Sequence, residues 1–276
     1  MTSPEKEQVF SRSNNNKNSS SSSPRASTKM VQRTEPNIIE PTTPPSDPTK
    51  SASIIFLHGL DDDAFGVSGV GDQFKRGGKL PHARWVFPNA LLNMDAMATA
   101  WYMPTELSRF PSQRPELDDP EDEDGLKSSR KYVESLIEEE VGRGVPLHRI
   151  VLGGFSQGHA MTLFTGLTSG KYAGKLGGLV CVCGYMPMAD QIEQLREESE
   201  LGKEVGDVPI FVARGMKDML VPKRYYEISS DRLSKLGYKD DLIEKHEYPN
   251  QGHTIDGPIL RDLCVWLEKV IPQVES

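Results

Sequence analysis

A serine hydroxyl becomes a useful nucleophile only when a base within hydrogen-bond reach takes its proton and a carboxylate holds that base in the correct tautomer. This sequence offers a member of each kind. Ser156 stands in Gly154-Phe155-Ser156-Gln157-Gly158, the pattern GxSxG, whose small residues allow a sharp backbone turn that presents the hydroxyl. Asp218 follows in Lys217-Asp218-Met219, and His253 follows in Gln251-Gly252-His253. Asp256 is a rival acid three residues from His253, better suited to capping the helix expected near Pro258. Two other histidines have bland readings: His58 braces its loop by hydrogen bonding, and His246 is a half-exposed strand residue.

Elements able to position these side chains are legible on both sides of each. Arg149, Ile150 and Val151 form a strand-like run before the serine, and Ala160, Met161, Leu163 and Phe164 follow at helical spacing. Buried strands are expected at 53–58, 84–88, 177–183 and 209–213, with a half-polar edge strand at 242–248. Helices are expected at 125–143, 189–201, 222–236 and 258–270. This alternation defines an α/β fold: a mostly parallel sheet with helices on both faces and ligands bound outside the carboxyl ends of the strands. Ser156, Asp218 and His253 all fall at such ends, and their chain order is that of the α/β-hydrolases. In such a site the backbone N–H groups of Leu60, in the loop after the first buried strand, and of Gln157 would face the developing oxyanion.

The remaining composition excludes several classes of function. Of 276 residues, 32 are Lys or Arg and 40 are Asp or Glu, a formal charge of -8 that disfavours a nucleic-acid partner. Cys181, Cys183 and Cys264 read as core side chains in a reducing compartment, so neither a disulfide framework nor a metal site is expected. No apolar run reaches the ~18 residues of a membrane span, which leaves peripheral membrane contact at most. Residues 1–50, rich in Ser, Asn, Thr and Pro, read as a disordered tail, with an organelle transit peptide as the alternative. Residues 51–276 read as one catalytic domain. The acidic run Glu116–Asp124 reads as an exposed loop. Met94, Met97, Trp101 and Met103 supply long apolar side chains that could line an acyl groove, although a core loop would have the same composition.

From about Ser51 to Pro272 the chain resembles the acyl-protein thioesterase branch of the phospholipase/carboxylesterase family. The resemblance is carried by FLHGL, FPNA, AWY, RIVLGGFSQG, KDMLVP and GH. It implies an α/β-hydrolase without metal or cofactor that removes palmitoyl and related acyl groups from cysteines of cytoplasmic proteins. Ser156 would be the nucleophile, His253 the base, Asp218 the orienting acid, and Leu60 with Gln157 the oxyanion donors. Substrates would be S-acylated proteins or small acyl esters, met in the cytoplasm or the nucleus. No oligomeric state is encoded in a readable motif. The chain departs from the family pattern at Asp61, Met103, His159 and Arg214, none of which is a triad member. Two other functions compete: a carboxylesterase or lysophospholipase acting on oxygen esters with the same residues, and a catalytically silent fold that only binds.

Overall fold

Four runs dominated by β-branched, aliphatic and aromatic residues become the buried middle of a seven-stranded sheet. The computed structural model describes residues 33–103, 121–203 and 205–274. In chain order the strands are β1 (Asn37–Ile39), β2 (Ala52–Leu57), β3 (Ala83–Phe87), β4 (Leu91–Asn93), β5 (Ala98–Ala100), β6 (Ile150–Phe155), β7 (Gly178–Val182), β8 (Ile210–Gly215) and β9 (Ile243–Tyr248). The helices are α1 (Ala64–Arg76), α2 (Glu123–Gly142), α3 (Gln157–Thr168), α4 (Ile192–Glu198), α5 (Lys223–Lys235) and α6 (Gly257–Val270). The large sheet runs β1-β3-β2-β6-β7-β8-β9, while β4 and β5 form a separate hairpin. Within the large sheet only β1 is antiparallel to its neighbour; the other five pairings are parallel.

A parallel sheet buried on both faces needs apolar side chains at nearly every position. β2, β7 and β8 are buried along their whole length, whereas β9 alternates and closes one edge, as its sequence leads one to expect. Residues of α1 and α6 join one apolar core with Ile54, Phe56, Trp85 and Phe211. Residues of α2, α3, α4 and α5 join the core on the other face with Ile55, Leu57, Leu152 and Val212. Among the described residues no helix is long and apolar enough to cross a membrane.

Residues ahead of Ser51 belong to the sheet, so the segment 1–50 expected to be tail includes part of the fold. Asn37, Ile38 and Ile39 pair with Phe87, Val86 and Trp85 and cover the free edge of β3. Close approach explains how so short a strand is held: a Cβ on Gly71 of α1 would lie 2.9 Å from Ile39 Cδ1 and 3.0 Å from Phe87. Residues 1–32, the rest of that tail, lie outside the described residues, as does most of the acidic run 116–124. The helix expected from Gly125 starts at Glu123, because the Asp122 side chain accepts from Gly125 N–H and caps it.

Candidate active site

Ser156 sits at the turn between β6 and α3 with φ 55° and ψ -115°, a left-handed conformation that costs a non-glycine residue ~1–3 kcal/mol. Its surroundings enforce the turn. A Cβ on Gly154 would lie 2.3 Å from the carbonyl carbon of Gly158, and one on Gly158 would lie 2.2 Å from Leu57 O. Ser156 N–H donates to Val182 O at 2.9 Å, tying the turn to the end of β7. Every residue of α3 is buried, so the strained position is overdetermined by packing.

His253 lies in the loop between β9 and α6, and Asp218 in the loop after β8. These two loops are stitched together by the Met216 N–H to Tyr248 O bond at 2.9 Å and the Lys217 N–H to Gln251 O bond at 2.8 Å. A Cβ on Gly215 would lie 2.2 Å from Gly252 O, so glycine is what allows the loops to meet this closely. His253 Nε2 stands 2.9 Å from Ser156 Oγ, and His253 Nδ1 stands 2.8 Å from Asp218 Oδ2. The second Asp218 oxygen accepts the N–H groups of Leu220 and Val221, each at 2.9 Å. Burial pushes the Asp218 carboxyl up, but the hydrogen bonds from His253 and from those N–H groups outweigh it and hold the group below its ordinary value. Phe155 packs on the imidazole with ring centroids 4.8 Å apart.

Asp256, the rival acid, stands at the N-cap position of α6. Its side chain makes no capping bond there, and its buried Oδ1 has no hydrogen-bond partner among the described residues. The expectation that it caps the helix through its side chain is therefore corrected. His58 matches its bracing role: the buried ring donates from Nδ1 to Gly59 O and accepts the Ala90 N–H at Nε2. His246 lies on β9, bonded to Glu244.

Leu60 follows β2 and Gln157 opens α3; among the described residues neither N–H is taken up by a backbone acceptor. Asp61 adopts φ 58°, which a short polar side chain tolerates better than most, and its N–H donates to Thr99 O. This accounts physically for an aspartate where the family pattern has glycine. Sequence reasoning gave Gln157 only a backbone role, yet its side chain is also fully engaged. Gln157 Oε1 accepts Trp101 N–H and Nε2 donates to Tyr102 O, both at 2.8 Å, so the elbow fixes the 101–102 backbone.

The four expected groove residues do not share one wall. Trp101 is 2% exposed, donates its indole N–H to His58 O at 2.9 Å and stacks near Tyr132, so it belongs to the core. Met94 and Met97, in the β4–β5 turn, are 74% and 86% exposed, while Met103 lies beyond β5 and is partly exposed. Chain departures elsewhere are accommodated by packing. Arg214 is buried and paired with Glu247 at 2.8 Å. His159 is fully buried with Nδ1 accepting Gly184 N–H at 2.8 Å, and burial pushes its pKa down to about 3.

A sheet of this order, with a serine on a strand-to-helix turn, defines an α/β-hydrolase fold. The sequence model of the family described as Phospholipase/Carboxylesterase matches residues 36–271, and the chain belongs to that family of hydrolases. Acyl-protein thioesterase 1 of Emericella nidulans is 34% identical over 227 residues, covering 80% of this chain and 91% of that protein. Acyl-protein thioesterase 1 of Yarrowia lipolytica is 32% identical, covering 83% of this chain and 96% of its own. Among solved structures, Arabidopsis thaliana SOBER1 matches with a TM-score of 0.64 and 26% identity over 80% of this chain and 99% of that one. Zea mays acyl-protein thioesterase 2 matches with a TM-score of 0.68 over 86% of this chain and 99% of that one; at 22% identity it speaks to the fold alone. The start of the family match at residue 36 agrees with the inclusion of β1 in the sheet.

Proposed function

We propose that the protein is a serine hydrolase that cleaves fatty-acyl thioesters from cysteines of cytoplasmic proteins. The observation that carries this reading is the hydrogen-bonded line from Ser156 Oγ through His253 to Asp218 at the carboxyl ends of parallel strands. Ser156 Oγ attacks the acyl carbonyl carbon while His253 Nε2 takes its proton. Negative charge gathering on the carbonyl oxygen faces the N–H groups of Leu60 and Gln157. As the tetrahedral species collapses, His253 returns the proton to the departing sulfur, leaving an ester on Ser156. Water, deprotonated by the same nitrogen, then attacks that ester and releases the fatty acid. Asp218 stays ionised throughout, holds the Nδ1–H tautomer and stabilises the imidazolium. The catalytic unit in this reading is the sheet-bearing segment, its substrates are S-acylated proteins or small acyl esters, and its contact with a membrane is peripheral at most.

The thioester preference is supported by the names of the relatives that are 32–34% identical over at least 80% of this chain. A small-ester esterase reading has an observation of its own: with Trp101 in the core and Met94 and Met97 outside, those residues form no shared groove for a long acyl chain. Values of kcat/KM for palmitoyl, octanoyl and acetyl thioesters and their matched oxygen esters separate the two. The thioesterase reading expects rates to rise with chain length, each buried methylene contributing up to ~0.8 kcal/mol. Faster turnover of acetyl oxygen esters than of any long-chain thioester would overturn it.

A further inference from the structure

Behind the proposed base and acid lies a side chain that no step above uses. Cys183, at the end of β7, is 1% exposed and adopts φ 51°. Its Sγ lies 3.5 Å from the carbonyl oxygen of Thr254, the residue after His253. One ligand atom each from Cys183, Asp218 and His253 all lie within 4.8 Å of one another. Cys264 on α6 and Cys181 on β7 belong to no such cluster among the described residues.

We propose that Cys183, Asp218 and His253 form an inhibitory site for a thiophilic divalent cation, with zinc as the fitting ion. Thiolate, imidazole and carboxylate are the donors that zinc takes, whereas magnesium and calcium prefer all-oxygen shells. Tetrahedral zinc with bonds of ~2.0–2.3 Å holds its ligands about 3.3–3.7 Å apart, so His253 Nδ1 and Asp218 Oδ2, 2.8 Å apart, open by about 0.5 Å while the widest separation in the cluster, up to 4.8 Å, closes by about 1 Å. The ion enters between Asp218 and His253 Nδ1 and takes the place of the proton they share. Residues 251–256 are all partly exposed, so this loop is the route in from solvent.

The balance of the step is simple. The Cys183 thiol loses its proton to solvent as the S–Zn bond forms, and Asp218 binds as the carboxylate it already is. His253 stays neutral and its single N–H moves from Nδ1 to Nε2 as the metal takes Nδ1. In that tautomer Nε2 points a hydrogen at Ser156 Oγ and cannot accept one, so the serine is not activated. The fourth zinc position remains open to water. Metal binding stands on the cluster alone; only its inhibitory consequence rests on the proposed hydrolase reading.

Titration of the full chain with cobalt(II), as a spectroscopic stand-in for zinc, tests the site without reference to activity. A thiolate-to-cobalt absorption band is expected in the natural chain, in Ser156→Ala and in Cys264→Ser, and is expected to vanish in Cys183→Ser. Asp218→Asn, which keeps the thiol, should retain the band but need about tenfold more cobalt, and it serves as the second probe if Cys183→Ser does not fold. Zinc should inhibit hydrolysis reversibly, with chelator restoring the rate and magnesium having no effect. For Cys183→Ser, measured against its own zinc-free rate, the inhibitory concentration should rise about tenfold or more. No band in the natural chain, a band unchanged in Cys183→Ser, or equal zinc sensitivity of the two proteins would overturn the site. A Cys183-dependent band in a protein that hydrolyses none of the substrates would instead sink the hydrolase reading and leave the metal site standing.

Discussion

Buried polar clusters stand at both ends of the parallel sheet, and they are built on opposite principles. At the amino ends, Glu140 of α2 is 2% exposed and is met by Ser53 Oγ and by Arg84, with Arg143 nearby. Arg84 is itself shared with Glu40, so charge is matched on every side. At the carboxyl ends, Ser156 and His253 form a pair in which one proton is free to move, beside backbone N–H groups that no backbone acceptor occupies among the described residues. The first cluster is satisfied and holds the structure together; the second keeps donor capacity unspent, as the proposed reaction requires. Burial alone does not separate a structural polar cluster from a reactive one, whereas the accounting of donors and acceptors does.

The largest effect that would break this comparison is loss of the proposed orienting acid, Asp218. Asp218→Asn should lower kcat by about 10⁴, the scale of the protease precedent, because an amide stabilises the wrong tautomer of the base. Asp256→Asn should stay within about fivefold of the natural rate, since its carboxyl bonds neither His253 nor Ser156. Both variants are compared on one thioester, with folding checked by circular dichroism. Near-normal turnover in Asp218→Asn with a large loss in Asp256→Asn would reverse the assignment.

At the other end of the sheet a substitution should act on stability and leave the chemistry alone. Glu140→Gln removes the charge facing Arg84, and breaking a buried pair from one side costs about 3 kcal/mol. Urea unfolding should show this loss, while kcat per folded molecule stays within about twofold. A large fall in kcat with unchanged stability would tie the amino-end cluster to the reaction.

His159 sharpens the contrast because it is a buried titratable group on the helix that starts just after Ser156. Its folded pKa of about 3 lies below the unfolded value near 6.5, so the unfolded chain binds a proton that the folded chain refuses. Its contribution is intact above about pH 6.5 and is lost as pH falls toward 3, by up to about tenfold in the folding constant per pH unit. His159→Gln, which still offers an acceptor to Gly184 N–H, should flatten that slope in denaturation measured at pH 6.5, 5.5 and 4.5. An identical slope in both proteins would assign the acid sensitivity to other groups.

Much of this architecture could be read from residue types. Ser156, Asp218 and His253 stand out in sequence because each sits just beyond a strand-like run and their order is meaningful, and the fold brings them into one hydrogen-bonded line. Choosing Asp218 over Asp256 on geometric grounds agreed with the contact observed, though sequence could not reveal that Asp256 makes no capping bond. β1 escaped notice because Ile38 and Ile39 are embedded among prolines, threonines and serines, where composition drowns a two-residue apolar signal. α1 was hidden by Gly66, Gly69 and Gly71, poor helix formers in isolation. Gly71 ties the two elements together, since its missing side chain is what lets α1 approach Ile39. Trp101 shows a different limit: an apolar side chain reads alike in a groove and in a core, and the deciding feature is a hydrogen bond to His58 O across 43 residues. Cys183 is buried in the core as its strand leads one to expect, while its closeness to Asp218 and His253, which come from two other loops, leaves no signal in sequence spacing.

Covalent capture by a fluorophosphonate, followed by mass spectrometry of the peptides, tests the central claim most directly. The natural chain should gain one phosphonyl group on the peptide containing Ser156, Ser156→Ala should gain none, and Asp218→Asn should label far more slowly at the same position. Stoichiometric labelling of Ser156→Ala at another residue, or a natural chain that hydrolyses thioesters yet remains unmodified, would contradict the assignment of Ser156 as nucleophile.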